Sequence, residues 1–479
     1  MNILIGKIGK TIKFKNLHIN TGDDSSMILF STMARMLPEH NFYFCGPNDL
    51  TKLTNKEYNY IFPNNNVFSL YCNCDEVNKK SGITVDDLMK IHEGKNTADR
   101  ELTREDYEGD VLFWDSLVEK VIASGIKFDF ALLFTGYVGY HCMNLTCRRP
   151  DGKFYTPLNA FKRYTGPYVH LINTFNIPLY TIAEDPRYIT INTEELFVRE
   201  RLILTQMSDC TVPVAQKYIT SYADHTRIEK TPLPCTYAGV EKIFLMGINK
   251  DWKNNIDIDR KINNTKNPKC IVISNGHGTK ALNSGWTEKD GRLPGYLEYI
   301  VNGMANTKYS DTHVYGMWSD ETLEKYPNIF QDKKMIDIAD EIADAKYSLV
   351  YSIVPNFITI KPYEMITQGL IPFIHPDYDS NRLLGLPEYC YVTSPEDMVN
   401  KMTELDSDND KYIKLLNECF DCIKPEYLDG SYLVNTIMSK ISDNLGVEYS
   451  YHNGVESIFN HFGKDVFDYK QFEETNKKK

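Results

Sequence analysis

Short apolar runs separated by amphipathic stretches set the rhythm of this chain. Met1–Ile5 is apolar and stops at Gly6, as a first buried strand does. The polar stretch Asn20–Ser26 predicts a loop. The apolar spacing from Met27 to Leu37 predicts a helix ended by Pro38. Asn41–Gly46 then reads as a second strand. Strand, loop, helix and strand in this order open a parallel α/β sheet. Phe128–Gly139, Ile177–Tyr188 and Asp209–Ala215 predict further strands.

The rhythm breaks between Gly239 and Lys269, where Asn, Lys and Asp crowd out apolar residues. This stretch reads as a connection or a solvated excursion. The pattern then restarts. Strands are expected at Cys270–Gly276, His313–Gly316, Tyr347–Ile353 and Leu370–Ile374, and helices at Pro294–Ala305, Met335–Lys346 and Ser394–Leu405. Ser394 is a suitable N-cap, with acids in the turn that follows. Between the last two strands lies "KPYEMITQG", a short amphipathic helical stretch closed by a glycine.

The expected fold class is therefore α/β, with two Rossmann-like doubly wound domains facing a cleft. Residues 1–245 form the first domain, 246–269 a connection, 270–446 the second domain, and 447–479 a partly helical tail. At 479 residues the chain exceeds the roughly 250–300 that one core supports. In doubly wound folds, ligands sit at the carboxyl ends of the strands.

Composition narrows the function classes. The net charge of −12 argues against non-specific binding of polyanions by the whole surface. It leaves room for a basic edge at Lys7, Lys10, Lys13 and Lys15, which reads equally well as a solvated strand and loop. Eleven cysteines occur, with close pairs at Cys72/Cys74, Cys142/Cys147 and Cys419/Cys422. None is followed by a second pair at zinc-site spacing, so no metal site is expected. Cys419 and Cys422 share a helical face and would pack as reduced thiols. Lysines interrupt the apolar N-terminus, and no run reaches 18 apolar residues. The expectation is a cytoplasmic protein with no signal peptide and no membrane partner.

Several strand ends carry candidate chemistry. After Cys270–Asn275 comes "GHGTK". Gly276 allows close backbone approach, while Lys280 and Arg292 supply cations, an arrangement suited to a diphosphate or found in an ordinary surface loop. Lys361 and Glu364 open the helical stretch. A carboxylate there can accept two hydrogen bonds from a ribose diol, and the lysine can reach a phosphate. Otherwise Glu364 only complements the helix dipole. On the first domain, Asp23 and Asp24 follow the first strand, His141 follows the third, and Asp185 and Arg187 follow the fourth. Asp24 and Asp185 are the candidate general bases. Asp185 can instead cap a turn beside Pro186, and His141 can be structural. His375 and Asp377 either touch the ligand or shape a turn.

The stretch "NFITIKPYEMITQGLIPFIHP", Asn356–Pro376, resembles the donor-nucleotide signature of GT-B glycosyltransferases, K-x-x-E-x-x-x-x-G-x-x-P, through Lys361, Glu364, Gly369 and Pro372. The resemblance extends over Cys270–Leu405, with "HVYGMW" and "AKYSLVYSI" at strand positions. Many retaining members carry two glutamates flanking seven residues. Glu364 matches the second, which in the family holds the ribose. Asn356 stands at the first.

The resemblance implies transfer of a sugar from a nucleotide-diphosphate donor to an acceptor hydroxyl, with no cofactor required and with Lys280 and Arg292 neutralising the departing diphosphate. "IAEDPRY" and "KPYEMITQGLIPF" are together similar to phage-encoded glycosyltransferases, some of which act on hydroxymethylated pyrimidines in DNA. Modified DNA is thus one expected acceptor, a glycan or small molecule another. The competing readings are a silent nucleotide-sugar or glycan-binding protein, favoured by Asn356, and an epimerase or phosphorylase of the same fold. A dinucleotide oxidoreductase is disfavoured, because "NILIGKIGK" lacks the third glycine of the fingerprint.

Overall fold

The computed structural model describes residues 1–7, 21–45, 55–70, 118–135, 147–148, 154–155, 166–183, 200–206, 235–265, 268–274, 312–316, 318, 320–333, 335–350, 356, 358–458 and 474. By contact the chain forms two units. Unit 1 is Met1–Ile248 with Glu426–Lys479, and unit 2 is Asn249–Pro425.

Unit 1 is built on strands β1 (Asn2–Lys7), β2 (Asn41–Cys45), β3 (Val67–Ser69), β4 (Phe130–Thr135), β7 (Leu179–Ala183), β8 (Glu200–Thr205) and β9 (Cys235–Tyr237). They form one sheet in the order β3-β2-β1-β4-β7-β8-β9, parallel throughout. β5 (Cys147–Arg148) and β6 (Phe154–Tyr155) pair separately as a small antiparallel ribbon. The strand order reverses between β1 and β4, which makes their carboxyl ends the topological switch point. Ile3, Leu4 and Ile5 are all fully buried. A strand covered on both faces reads as a continuous apolar run instead of an alternating one.

Helix α1 (Thr21–Met36) begins inside the polar stretch expected to be a loop. Thr, Asp and Ser are the residues that helix N-termini favour, so polarity there marks a helix start. Its inward residues Ile28, Leu29, Phe30 and Met33 enter the core with Phe42, Phe62 and Phe130. α2 (Asn55–Ile61) and α3 (Gly166–Phe175) are further helices of unit 1. α3, β8 and β9 were not expected from the pattern. Asp209–Ala215, expected as a strand, lies outside the described residues.

The helix Ser431–Leu445 returns to unit 1 and differs in this from the expected second-domain range of 270–446. Its stripe of Leu433, Val434, Ile437, Met438 and Ile441 is buried in the same core as α1. Tyr180 donates to Asn444 Oδ1 at 2.6 Å, fastening the helix to β7. Gly430 precedes it at φ +77°, and a Cβ there would lie 2.5 Å from Thr32 Cγ2. Only glycine lets the helix start dock so closely on α1.

Just before the chain leaves unit 1, Lys242 is fully buried. Its Nζ donates to Glu241 Oε1 at 2.6 Å and to Tyr237 Oη at 3.2 Å. The rings of Tyr427 and Tyr432, from the returning segment, lie 5.2 and 5.3 Å from the same ammonium. Burial alone would lower the Lys242 pKa; the Glu241 charge outweighs it and raises the value. A buried ammonium of this kind stays charged because a carboxylate and three ring faces replace its water.

Unit 2 carries β10 (Cys270–Ile273), β11 (His313–Gly316), β12 (Phe330–Asp332), β13 (Tyr347–Leu349) and β14 (Ile371–Phe373). Their order is β12-β11-β10-β13-β14, again all parallel, with the switch point between β10 and β13. The helices are α4 (Ile258–Asn263), α5 (Asp320–Lys325), α6 (Ala339–Asp344), α7 (Lys361–Thr367), α8 (Pro395–Ser407) and α9 (Asn409–Phe420). Ser394 caps α8 as expected, its side chain accepting from Asp397 N. The single helix expected over Met335–Lys346 is instead a 3-10 turn, Met335–Ile338, followed by α6.

The polar stretch after residue 249 is part of unit 2. Trp252 is 1% exposed and packs edge-on against Phe420 at 5.2 Å. One indole and one buried lysine, Lys261, are enough to pin a segment whose composition reads as a linker. At the amino-terminal edge of this sheet, Asp406 accepts from Lys269 at 3.0 Å, Lys346 at 3.3 Å and Tyr347 at 2.9 Å. Burial opposes ionisation of Asp406, but these partners hold its carboxyl below the usual range.

Replacing Lys242 with Met would leave the Glu241 carboxylate buried without its counter-ion, the Tyr237 hydroxyl still donating to it at 2.7 Å. The expected loss of stability is about 3–5 kcal/mol. Chemical denaturation measures it, and a loss below about 1 kcal/mol would contradict the pairing.

Candidate functional site

α7 follows β13 and leads into β14, so it starts at the carboxyl edge of the unit 2 sheet, beside the switch point. Pro362 sits in its first turn, where the missing N–H costs nothing. Pro362 through Thr367 are all buried. The helix is therefore enclosed on every side, not amphipathic as its sequence suggested. Gln368 and Gly369 end it. Gly369 has φ +74°, and a Cβ there would lie 2.5 Å from Ile256 Cγ2 and 2.8 Å from Lys261 Cε. The glycine of the motif is thus demanded twice, by backbone conformation and by close approach of the 256–261 segment.

Glu364 is 5% exposed and forms an i,i+3 ion pair with Lys361 through Oε2. Among the described residues no backbone N–H or hydroxyl donates to this carboxylate. The Lys361 side chain keeps 29% of its surface exposed. A carboxylate buried with one partly exposed counter-ion retains free acceptor capacity.

The loop leading into α7 is held by the turn after β14. Asn356 adopts φ +56°. Its N–H donates to the Asp377 carbonyl at 2.8 Å, and its Oδ1 accepts from Ser380 N at 3.1 Å and Ser380 Oγ at 2.5 Å. Tyr378 is fully buried and meets Thr359 N at 2.9 Å and Thr359 Oγ1 at 2.6 Å. The turn itself is rigid. Asp379 is fully buried and accepts from Leu383 N at 2.7 Å, Leu384 N at 2.9 Å and Tyr391 Oη at 3.0 Å. Arg382 stacks 3.8 Å over the Tyr391 ring and pairs with Glu388 at 2.7 Å.

His375 shapes this turn. Its Nδ1 accepts from Asp377 N at 3.2 Å, which leaves the proton of the neutral ring on Nε2. Burial lowers the His375 pKa, and Asp377 only partly offsets this. Tyr378 and Asp379 were not singled out in the sequence. "PDYD" looks like any polar turn, and nothing in it signals that two of its side chains point inward.

Behind Gly369, Lys261 Nζ donates to the Ile342 carbonyl at 2.8 Å and the Ala345 carbonyl at 2.9 Å, closing the end of α6. Burial lowers its pKa to about 7. Cys270, Cys390, Cys419 and Cys422 are free and buried, and burial pushes Cys270 and Cys422 up to about 12. Cys422 lies beyond the end of α9, so it does not share a helical face with Cys419. Among the described residues, no group of three or more His, Cys, Asp or Glu is placed to hold a metal ion, and no helix is long and apolar enough to cross a membrane.

Of the candidate residues, the structure brings Lys361 and Glu364 together. Asp23 and Asp24 fall in the first turn of α1, and their side chains lie outside the described residues. Asp185, Arg187, His141, Gly276, Lys280 and Arg292 lie outside the described residues as well.

No protein-family model matches the chain, and no curated protein matches its sequence. Among solved structures, the chain is similar to the DNA-modifying enzyme beta-glucosyltransferase studied with and without its substrate uridine diphosphoglucose. The identity is 12% and the TM-score 0.49, over 93% of this chain and 100% of that one. T4 phage BGT in complex with its UDP-glucose substrate is 11% identical with a TM-score of 0.49, over 93% and 100% of the two chains. A glycosyltransferase from Rickettsia africae is 9% identical with a TM-score of 0.44, over 93% and 98%. The α/β class stands on the two parallel strand orders themselves.

Two measurements check the supports of the site. Gly369→Ala and Gly385→Ala replace glycines at φ +74° and φ +70°, but only the first meets neighbouring atoms. Gly385→Ala should cost about 1 kcal/mol from the left-handed backbone. Gly369→Ala should cost about 2–4 kcal/mol, because crowding adds to that strain. Equal losses would contradict the packing. For Lys261, the unfolded chain holds a proton between pH 7 and 10.5 that the folded chain has released. The stability difference between the native protein and Lys261→Met should therefore rise with pH across that window and be flat below it, as measured by denaturation at each pH.

Proposed function

We propose that this chain is a glycosyltransferase that uses a nucleotide-diphosphate sugar, bound by unit 2 at the carboxyl edge of β10 and β13. The observation that carries this reading is Glu364: a buried carboxylate at a switch-point edge, with acceptor capacity to spare and a partly exposed lysine beside it. A vicinal ribose diol offers two donors to such a group, and charge makes both bonds strong. Lys361 supplies a compact positive charge for a phosphate of the same nucleotide.

On this reading Gly276, Lys280 and Arg292 meet the diphosphate, which leaves with the bonding electrons when the acceptor oxygen bonds to the anomeric carbon. Asp185 or Asp24 takes the acceptor's proton, with Asp23, Arg187 and His141 on the acceptor side. Charge on the leaving group is met by side chains, so no cofactor is required. The proposed acceptor is a hydroxymethylated pyrimidine in phage DNA; a glycan or small molecule is the alternative, and the proposed compartment is the cytoplasm.

One observation favours a second reading, a silent nucleotide-sugar-binding protein. The Asn356 amide oxygen, at the position where many relatives of this signature carry an acid, is already taken by Ser380. Slow release of free sugar from the donor distinguishes a transferase from a binding module.

The test is a thermal-shift series with UDP-, GDP-, ADP- and dTDP-glucose. One nucleotide should stabilise the protein selectively, by about 2.7 kcal/mol at a hundredfold excess over Kd. Glu364→Gln should weaken that donor by about 10- to 100-fold, the worth of hydrogen bonds to a charged acceptor. Unchanged affinity would remove Glu364 from the site.

A further inference from the structure

Tyr378 has no place in the chemistry proposed above, yet its hydroxyl is buried against the loop that delivers Glu364. We infer that Tyr378 is a positioning residue for the Glu364 carboxylate, acting through Thr359, and so sets donor affinity without touching the donor. This inference rests on the nucleotide-sugar reading of the same site.

The argument runs along hydrogen bonds. Thr359 N–H donates to Tyr378 Oη at 2.9 Å, and the two hydroxyls share a second hydrogen bond, Tyr378 Oη to Thr359 Oγ1 at 2.6 Å. Thr359 Oγ1 also accepts the first N–H of α7, from Lys361, at 3.4 Å. The next residue, Ile360, has no side chain able to cap the helix, and its carbonyl accepts Glu364 N–H at 3.0 Å. α7 is seven residues long and receives no conventional cap. Its start is therefore located by Thr359, and Thr359 by Tyr378. The Asn356 bracket to Asp377 and Ser380 fixes the other end of the same loop.

Tyr378 can serve as a fixed reference because its surroundings are locked. His375 caps its turn, and Asp379, the next residue, is satisfied by two backbone N–H groups and Tyr391. An error in the path of residues 359–360 passes directly into the first helical turn, which carries both Lys361 and Glu364. Displacements well under 1 Å weaken oriented hydrogen bonds to a ligand.

The experiment is a double-mutant cycle on donor binding by calorimetry, using whichever of UDP-, GDP-, ADP- or dTDP-glucose stabilises the native chain. Tyr378→Phe keeps the ring and deletes the hydroxyl. It should weaken the donor by about 5- to 10-fold in the native background. In a Glu364→Gln background it should change affinity by less than about twofold, because the group it positions is gone. Its effect on thermal stability should be the same in both backgrounds. Equal weakening in both would assign Tyr378 a general structural role and overturn the inference while leaving the nucleotide-sugar reading intact. So would unchanged affinity for Tyr378→Phe when Glu364→Gln weakens binding. If Glu364→Gln binds normally, or none of the four donors binds, the reading fails and the inference with it. Should Tyr378→Phe not fold, Thr359→Val removes the partner hydroxyl and is judged by the same criteria.

Discussion

A charge withdrawn from water must be met by other charges or by fixed dipoles, and this protein is organised around places where that requirement is satisfied to different degrees. Asp379 is met completely, by two backbone N–H groups and a tyrosine. Asp406 is met by two lysines and a tyrosine. Lys242 is met by a carboxylate and three aromatic rings. Glu364 differs. It is 5% exposed but faces one lysine that still reaches solvent. A site that is enclosed yet incompletely satisfied is poised to accept a ligand.

The positions of these groups in the sheets sort them by role. Lys269, Lys346 and Asp406 gather at the amino-terminal edge of the unit 2 strands, away from where α/β folds bind ligands. Glu364 and the Asn356–Tyr378 bracket lie at the opposite edge. The bracket ties two successive strand-end loops together through one backbone bond, Asn356 N–H to the Asp377 carbonyl, and through the side chains of Asn356, Ser380, Thr359 and Tyr378. Gly369 and Lys261 supply the matching constraint from behind, pressing the end of α7 against the 256–261 segment.

The second half of the chain was more legible than the first. β10, β11, β13, β14 and α8 follow directly from apolar runs and a serine cap, because short connections keep pattern and element in step. Lys361 and Glu364 could be chosen because residue type, spacing and a following glycine coincide in one short stretch. In the first half, α1 was shortened because Thr, Asp and Ser read as loop and helix start alike. β8 and β9 were missed because "ERLILT" and "CTY" are too brief to show a period. Tyr378 could not be chosen, since a tyrosine in a polar turn is usually a surface residue.

What the sequence determined by itself was local: which runs are strands, where helices stop, and that a lysine and a glutamate share the first turn of α7. Burial and partnership were decided only in three dimensions. The helix Ser431–Leu445 follows unit 2 in sequence but joins the core of unit 1, because its apolar stripe matches α1 rather than its neighbours. Asn356 and Ser380 are 24 residues apart, and Lys261 and Ala345 84 apart, yet each pair is hydrogen-bonded. Such contacts depend on how strands are ordered in the sheet, and strand order is set by the summed packing of many residues, which no short window of sequence contains.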